Sequence, residues 1–529
     1  MYEPILQKDS NEPPAIRSAK PLAIGKGVID QSTFTAIEAD RLFDAVNHCE
    51  TVAGQATLYR SITEPLRDES EILAKQEAVQ ELRSNPELAQ KIESMVQAAS
   101  EKEKGFFTLL YGTFIGMLGN PHHEHEHEGY GYTAYRTAVS FMLEMIFDAD
   151  EMPDPRSGYL KQTIQKIRSF SETRCGQLMN GPVYKTERGM LTASEKEKRR
   201  LTPGFIFRPT LIKPLLILCF LLALSIFYHF APLSPGFSVS VLPALLMFSF
   251  PLAIVYIPAI GTFDRDSCIY PLRDIYKQSN EVTETYEALG RLDELLSFVR
   301  FGKSFGPDAV FTEIIQSQHH SMVVSGVKSP ILAQENKSYV PNSLELDQKR
   351  LTLITGPNSG GKTAICKTLA QVQLLTQIGC PIPADHIKAS VADCIFYQVP
   401  EYNSLEEGEG RFGTELQRTK EIFLATSARS LVILDELSEG TTYEEKLATS
   451  ETILDGFNRK NSSTLLITHN HALVDLLINK GIGQPRQVEF KDGDPTFRLI
   501  DGISRISHAD RIARKIGFSK EDIDRYLNS

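Results

Sequence analysis

At 529 residues the chain is long enough for several units with separate cores, so a single small fold is excluded. Its formal net charge of −11 excludes a global basic field for nucleic acid, so any DNA contact has to come from a local patch. The seven cysteines are scattered with no CxxC pair, which argues against a zinc ribbon or a disulfide framework and fits a reducing compartment.

The first 30 residues mix Lys, Asp, Glu and Pro without an apolar run, so no secretory signal is expected, and residues 1–35 read as an N-terminal extension. From 36 to 100 the pattern is helical. Leu42, Val46, Leu58, Ile72, Leu73, Val79 and Leu82 recur at three- and four-residue spacings, punctuated by Pro65 and Asn85-Pro86. Residues 100–200 are less periodic and read as helices with loops. They include His122-His123-Glu124-His125-Glu126-His127-Glu128, whose imidazoles could bind a divalent metal; a solvated acidic loop explains the run more simply.

Between Lys213 and Asp264 there is no Asp, Glu, Lys or Arg, and two apolar blocks flank Pro232-Leu233-Ser234-Pro235-Gly236. The length predicts a two-helix transmembrane hairpin within 207–262, its membrane contact over 214–260; two buried core helices are the alternative. Lys196, Lys198, Arg199, Arg200, Arg208 and Lys213 precede it, so both ends are expected on the cytoplasmic side of an inner membrane. Residues 263–310 return to an amphipathic helix through Ile275, Tyr286, Leu289, Leu292, Leu295, Leu296 and Val299. Residues 311–500 alternate β-like runs with helices, as in an α/β nucleotide-binding domain.

Within that region, LTLIT runs into Gly356-Pro357-Asn358-Ser359-Gly360-Gly361-Lys362-Thr363 and then a helical pattern. This is a P-loop for ATP: glycines let successive N–H groups face phosphate oxygens, Lys362 reaches the β- and γ-phosphates, and the Thr363 hydroxyl meets Mg²⁺. Leu431-Val432-Ile433-Leu434-Asp435-Glu436 is a buried-strand pattern ending in two carboxylates, Asp435 for the Mg²⁺ shell and Glu436 to orient and deprotonate the attacking water. Thr464-Leu465-Leu466-Ile467-Thr468-His469 ends in a histidine suited to sensing the γ-phosphate. Gly408-Glu409-Gly410-Arg411-Phe412-Gly413-Thr414-Glu415 opens another helix. In ABC-type ATPases such a segment completes the partner's site, which implies a homodimer through the ATPase domain, with Gly410, Arg411, Phe412 and Glu415 as the trans-acting candidates.

GPNSGGKT, the LVILDE strand with Leu437-Ser438-Glu439-Gly440-Thr441-Thr442, and LLITHN together resemble the ATPase domain of the MutS DNA mismatch-repair family, which reads GPNMGGKST, DEIGRGTS and a THY-type strand. Tyr339-Val340-Pro341-Asn342 is similar to the family's segment before the P-loop. The tail Phe497–Tyr526 is similar to its C-terminal helix-turn-helix, expected over 501–529. Leu42-Phe43-Asp44, Thr51, Gly54, Pro65-Leu66, Ile72 and Val79 resemble its helical core, which makes 36–206 and 263–310 the two parts of a lever. Three departures stand out. With the core-like pattern beginning near residue 36, no counterpart of the family's mismatch-reading domain and its Phe-x-Glu wedge is expected, and the apolar hairpin stands where the family has DNA-gripping clamp helices. Gly410-Arg411 replaces a Ser-Thr pair, leaving Arg411 as either a cationic finger or a surface ion-pair partner.

The expected fold is therefore an α/β ABC-type P-loop ATPase domain joined to an all-α lever that carries a transmembrane hairpin. The expected function is an ATP- and Mg²⁺-dependent dimeric machine acting on DNA by analogy, with an unidentified protein partner. A membrane signalling or remodelling ATPase that does not bind DNA is the second reading. An ABC transporter is weaker, because four helices per dimer without a midplane charge mark no substrate path.

Overall fold

The structure, a computed structural model, describes residues 4–213, 255–306, 309–336, 338–347, 349–357, 360–400, 410–437, 442–491, 494–504 and 516–528, the side chains of 410 and 411 excepted. Polar caps set the helix starts in the N-terminal half. Asp30 caps α1 (Gln31–Ala36), which is followed by α2 (Ala39–Val46). Thr51 caps α3 (Val52–Thr63), Asp68 caps α4 (Glu69–Ser84), and Asn85 with Pro86 in the first turn opens α5 (Pro86–Tyr111). Next come α6 (Tyr132–Asp150), α7 (Gly158–Ser169), α8 (Arg174–Asn180) and α9 (Ala193–Lys198).

The less periodic stretch also holds short strands. β1 (Thr113–Phe114) and β2 (Glu126–His127) pair in parallel, and β3 (Val183–Thr186), β4 (Gly189–Leu191) and β5 (Gly204–Phe207) form a small antiparallel sheet. In the histidine-rich run the Glu126 carboxylate accepts the amides of His122 and His123. Among the described residues no group of three His, Cys, Asp or Glu could hold a metal ion.

Residues 255–264 are helical and continue through a π-turn, Arg265–Ile269, into α10 (Tyr270–Gln278); α11 (Asn280–Ser304) follows. α11 is buried on nearly every face and packs on α3, α4, α5 and α7, which makes it the axis of the helical half. Two carboxylates inside this core are tied to one helix start. Asp293 accepts the amides of Glu50 and Thr51 and the Thr51 hydroxyl, while Glu103 accepts the amides of Val52 and Ala53 and the Tyr286 hydroxyl.

The transmembrane hairpin, and the inner-membrane localisation drawn from it, are corrected. Among the described residues no helix is long and apolar enough to cross a membrane, and residues 214–254 of the expected hairpin lie outside the described residues. Residues 255–264 are held by polar groups: Asp264, 2% exposed, pairs with Lys213 at 2.7 Å and accepts the Tyr132 hydroxyl at 2.7 Å, and the Tyr256 hydroxyl donates to the Leu211 carbonyl.

The C-terminal half is α/β. Its elements are β6 (Ala309–Val310), β7 (Glu313–Ile314), β8 (Met322–Val327), β9 (Asn342–Glu345), β10 (Leu351–Thr355), α12 (Lys362–Gln377), β11 (Ile382–Pro383), β12 (His386–Ala389) and β13 (Ile395–Gln398). They continue with α13 (Gly410–Ala425), β14 (Leu431–Asp435), α14 (Tyr443–Arg459), β15 (Ser463–Ile467), α15 (His471–Asn479), β16 (Gln484–Lys491), β17 (Asp494–Asp501) and α16 (Lys520–Leu527). The main sheet runs β13-β14-β15-β10-β16-β17, parallel up to β16 with β17 antiparallel. β10 and β15 are buried along their whole length, Thr352, Thr355, Ser463 and Thr464 included, as befits central strands of a parallel sheet covered on both faces. Phe497 to Asp501, the start of the tail, lie in β17, and residues 505–515 lie outside the described residues.

Candidate active site

The parallel order places the carboxyl ends of β10, β14 and β15 side by side, the edge where open α/β sheets hold ligands. Each of the three ends carries a residue singled out from the sequence. Past β10, Gly356 has φ +136° and Gly361 φ +83°, conformations that L side chains rarely adopt. A Cβ on Gly360 would meet both methyls of Val488 at 3.2 Å, so the loop runs close against β16. Gly361 caps α12 with no side-chain hydrogen bond, leaving backbone N–H groups and the positive end of a sixteen-residue helix at the loop. Asn358 and Ser359 lie outside the described residues.

Lys362 is only 2% exposed. Its Nζ donates to the carbonyls of Gly356 at 2.6 Å and Pro357 at 3.0 Å, and lies 3.4 Å from His469 Nε2. Burial pulls its amine down to about 8, against the opposing pull of Asp435 and Glu436. The Thr363 hydroxyl donates to Asp435 Oδ2 at 2.9 Å, and burial raises the Asp435 carboxyl although Thr363 and Lys362 favour its ionised form. A hydroxyl and a carboxylate at this spacing are hard oxygen donors of the kind Mg²⁺ takes.

Glu436 has φ +62°, a left-handed backbone unusual for a glutamate and one that costs on the order of 1 kcal/mol or more. Its amide donates to the Ile467 carbonyl at 2.9 Å, and its Oε1 lies 3.5 Å from His469 Nε2. Strain is thus held in place at the residue that follows Asp435, and it turns the Glu436 side chain toward the end of β15. The structure brings Lys362, Thr363, Asp435, Glu436 and His469 into one cluster.

The trans-acting candidates are placed differently. Gly410 starts α13, Phe412 is half-buried, and Glu415 is 6% exposed, with its carbonyl accepting from Gln398 Nε2 and the Thr419 hydroxyl. The side chain of Arg411 is not among those described. The ties of α13 run to β13 and, through Arg418, to Asp30.

Three residues escaped the sequence reading. Gln398, at the end of β13 and 5% exposed, makes a two-way pairing with Thr419 that seats α13. Phe497 takes φ +62°, stays 46% exposed, and its ring would lie 3.3 Å from a Cβ on Gly361. Asn342 holds that bend, donating to the Phe497 carbonyl at 3.0 Å and accepting the Leu499 amide at 2.8 Å. Asn342 carries a signal in the Tyr339–Asn342 segment before the P-loop, Phe497 enters only as the start of the tail, and Gln398 carries none.

The family description MutS domain V matches residues 352–518, and MutS domain III matches residues 24–180. MutS domain V is a P-loop ATPase-type domain. Among curated relatives, the DNA mismatch repair protein msh3 of Aspergillus niger is 30% identical over 257 residues, 46% of this chain and 23% of that protein. The endonuclease MutS2 of Bacillus velezensis is 30% identical over 251 residues, 47% of this chain and 31% of that protein. The DNA mismatch repair protein MutS of Nitratidesulfovibrio vulgaris is 32% identical over 220 residues, 39% of this chain and 24% of that protein. The match thus spans less than a third of each of these relatives. With two domains of one family on a single chain, and the P-loop cluster inside the second, the chain belongs to the MutS family.

Proposed function

We propose that the chain binds and hydrolyses ATP, with Mg²⁺ held by Thr363 and Asp435. The observation that carries this reading is the meeting of Lys362, Thr363, Asp435, Glu436 and His469 at the carboxyl edge of the sheet. Gly356, Gly360 and Gly361 let the loop lie close against Val488 and Phe497, and the N-terminus of α12 opens from that loop. Lys362 moves from its two loop carbonyls to phosphate oxygens, exchanging neutral acceptors for charged ones. Glu436 orients the attacking water and takes its proton, and His469, beside both Glu436 and Lys362, marks the γ-phosphate end. Thr363 and Asp435 would hold Mg²⁺, which when bound would supply charge neutralisation for the phosphates. Phe497 offers a flat apolar face beside Gly361 on which a purine base can lie.

The working unit in this reading is a homodimer, with the start of α13 at Gly410, Arg411 and Phe412 facing the partner's nucleotide. The relatives named for DNA mismatch repair make DNA the proposed cargo. A second reading, an ATPase that signals without binding DNA, is favoured by the net charge of −11.

Titration with a fluorescent ATP analogue, with and without Mg²⁺, tests the first step. Wild type is expected to bind, and Lys362→Ala to bind at least tenfold more weakly, the loss of a charge-assisted contact worth about 1.5–3 kcal/mol. Equal binding by both proteins rejects the site. Binding to duplex, branched and single-stranded DNA at stepped salt separates the two cargo readings: no binding at low salt, with or without ATP, removes DNA.

A further inference from the structure

The segment from Val28 to Glu38 touches both helices on which the proposed ATP cycle depends. At its first end the Val28 carbonyl accepts the Ile395 amide at 2.6 Å and the Thr33 hydroxyl accepts the Tyr397 amide at 3.3 Å, so the segment covers the outer edge of β13. Asp30, 5% exposed, does two jobs there. One oxygen caps α1 through the Thr33 amide at 2.9 Å, and the other accepts from Arg418 of α13 at 2.5 Å. The pair is largely out of water, with side chains 6% and 16% exposed, so removing either partner strands the other.

At its second end the segment grips α12. The Ile37 carbonyl accepts from Gln371 at 2.8 Å. Glu38 sits at φ +56°, left-handed although it is not glycine, and its carboxylate accepts from Lys367 at 2.6 Å and from Arg41 at 2.6 Å. Lys367 beside it, with Arg41, holds the Glu38 carboxyl below its ordinary value. Lys367 lies four residues after Thr363, on the same face of α12 and one turn away. A cavity of about 230 Å³ between them, lined by Glu38, Arg41, Thr363, Lys367 and Gln371 among others, leaves that turn room to shift. Glu38 is also the residue from which α2 starts.

Resting on the ATP site proposed above, we propose that α1 with its flanking carboxylates is a coupling clamp. Arg418 and Lys367 are its positioning residues: Asp30–Arg418 seats α13, Glu38–Lys367 seats the phosphate end of α12, and α2 and α3 respond to both through one six-residue helix. Neither cation touches nucleotide. Their loss changes how the helical half responds to ATP rather than how tightly ATP is held.

Hydrogen exchange of the full-length protein, measured with and without ATP and Mg²⁺ alongside the ATP Kd, tests the clamp. In wild type, ATP is expected to slow exchange in α2 and α3 by about fivefold, the scale of a coupling near 1 kcal/mol. In Arg418→Gln and Lys367→Gln that response is expected to fall to less than half while the Kd moves less than about threefold; Arg418→Lys and Lys367→Arg restore most of it. If Arg418→Gln does not fold, Lys367→Gln carries the test, because its pair is part-exposed. Glutamine variants that respond as wild type does overturn the clamp, as does a wild type that binds ATP without any response. A wild type that binds no ATP overturns the ATP reading itself.

Discussion

The N-termini of α3 and α12 are two anion-binding ends finished in opposite ways. In α3 the chain supplies the anions itself: Asp293 and Glu103 take the amides of residues 50–53, and Asp293 lies so close that a Cβ on Gly54 would sit 2.2 Å from its Oδ2. In α12 the cap is Gly361, which has no side chain to bond the first amides, and the loop's glycines lie close against Val488 and Phe497 where a Cβ would press. The same helix-end electrostatics thus serve cohesion in one half and ligand binding in the other. Burial is offset differently as well. Asp293 is pushed up to about 6 by desolvation despite its donors, whereas Lys362 is pulled down to about 8 and has charged neighbours in Asp435 and Glu436.

If the two ends differ in this way, mutations should divide cleanly between turnover and stability. The largest effect is expected for Glu436→Gln. Steady-state hydrolysis should fall by about 10²–10⁴-fold, the usual share of a general base, while ATP remains bound and the melting temperature barely moves. A phosphate-release assay beside equilibrium nucleotide binding checks this, and normal turnover would remove Glu436 from the role. Asp293→Ala should do the reverse. It leaves two amides and the Thr51 hydroxyl without their acceptor inside the helical core, a loss of about 3 kcal/mol or more. Urea unfolding should show it, with the ATP Kd of the folded fraction unchanged; a stable variant would mean that solvent reaches the α3 start.

Legibility followed how local each signal was. Gly356–Thr363, Asp435-Glu436 and His469 each close an apolar strand run, so a few adjacent residues identify them. The partners that hold the site are distant in the chain: Asp30 with Arg418, Glu38 with Lys367, Asn342 with Phe497. No spacing rule links such positions, and nothing next to Asp30 or Glu38 in the chain marks them. The apolar stretch after Lys213 misled for a related reason. Hydropathy counts composition along the chain, whereas the described end of that stretch is fixed by Asp264 buried against Lys213 and Tyr132, a contact between elements far apart in sequence. Gly410, Arg411, Phe412 and Glu415 were legible as a glycine-opened helix, but a trans role needs a second chain.

The smallest effect is a pH dependence, and it bears most directly on the contrast between the two ends. Lys362, with its amine near 8, carries its charge below that pH and loses it above. Bound polyphosphate favours the charged form and moves the amine upward, so ATP binding takes up a proton once the solution is above pH 8. The sign follows: affinity is flat below about pH 7.5 and falls as pH rises. Between pH 7 and pH 9 the ATP Kd should weaken by about tenfold, roughly one decade for the one unit above the amine's value. Lys362→Ala should weaken binding at every pH and flatten this slope, whereas Glu436→Gln should keep it. A wild-type affinity that stays level from pH 7 to pH 9 would mean that the Lys362 amine is not pulled down as far as its burial implies. The α12 end would then be as well solvated as an ordinary surface helix start, and its contrast with α3 would rest on the glycines alone.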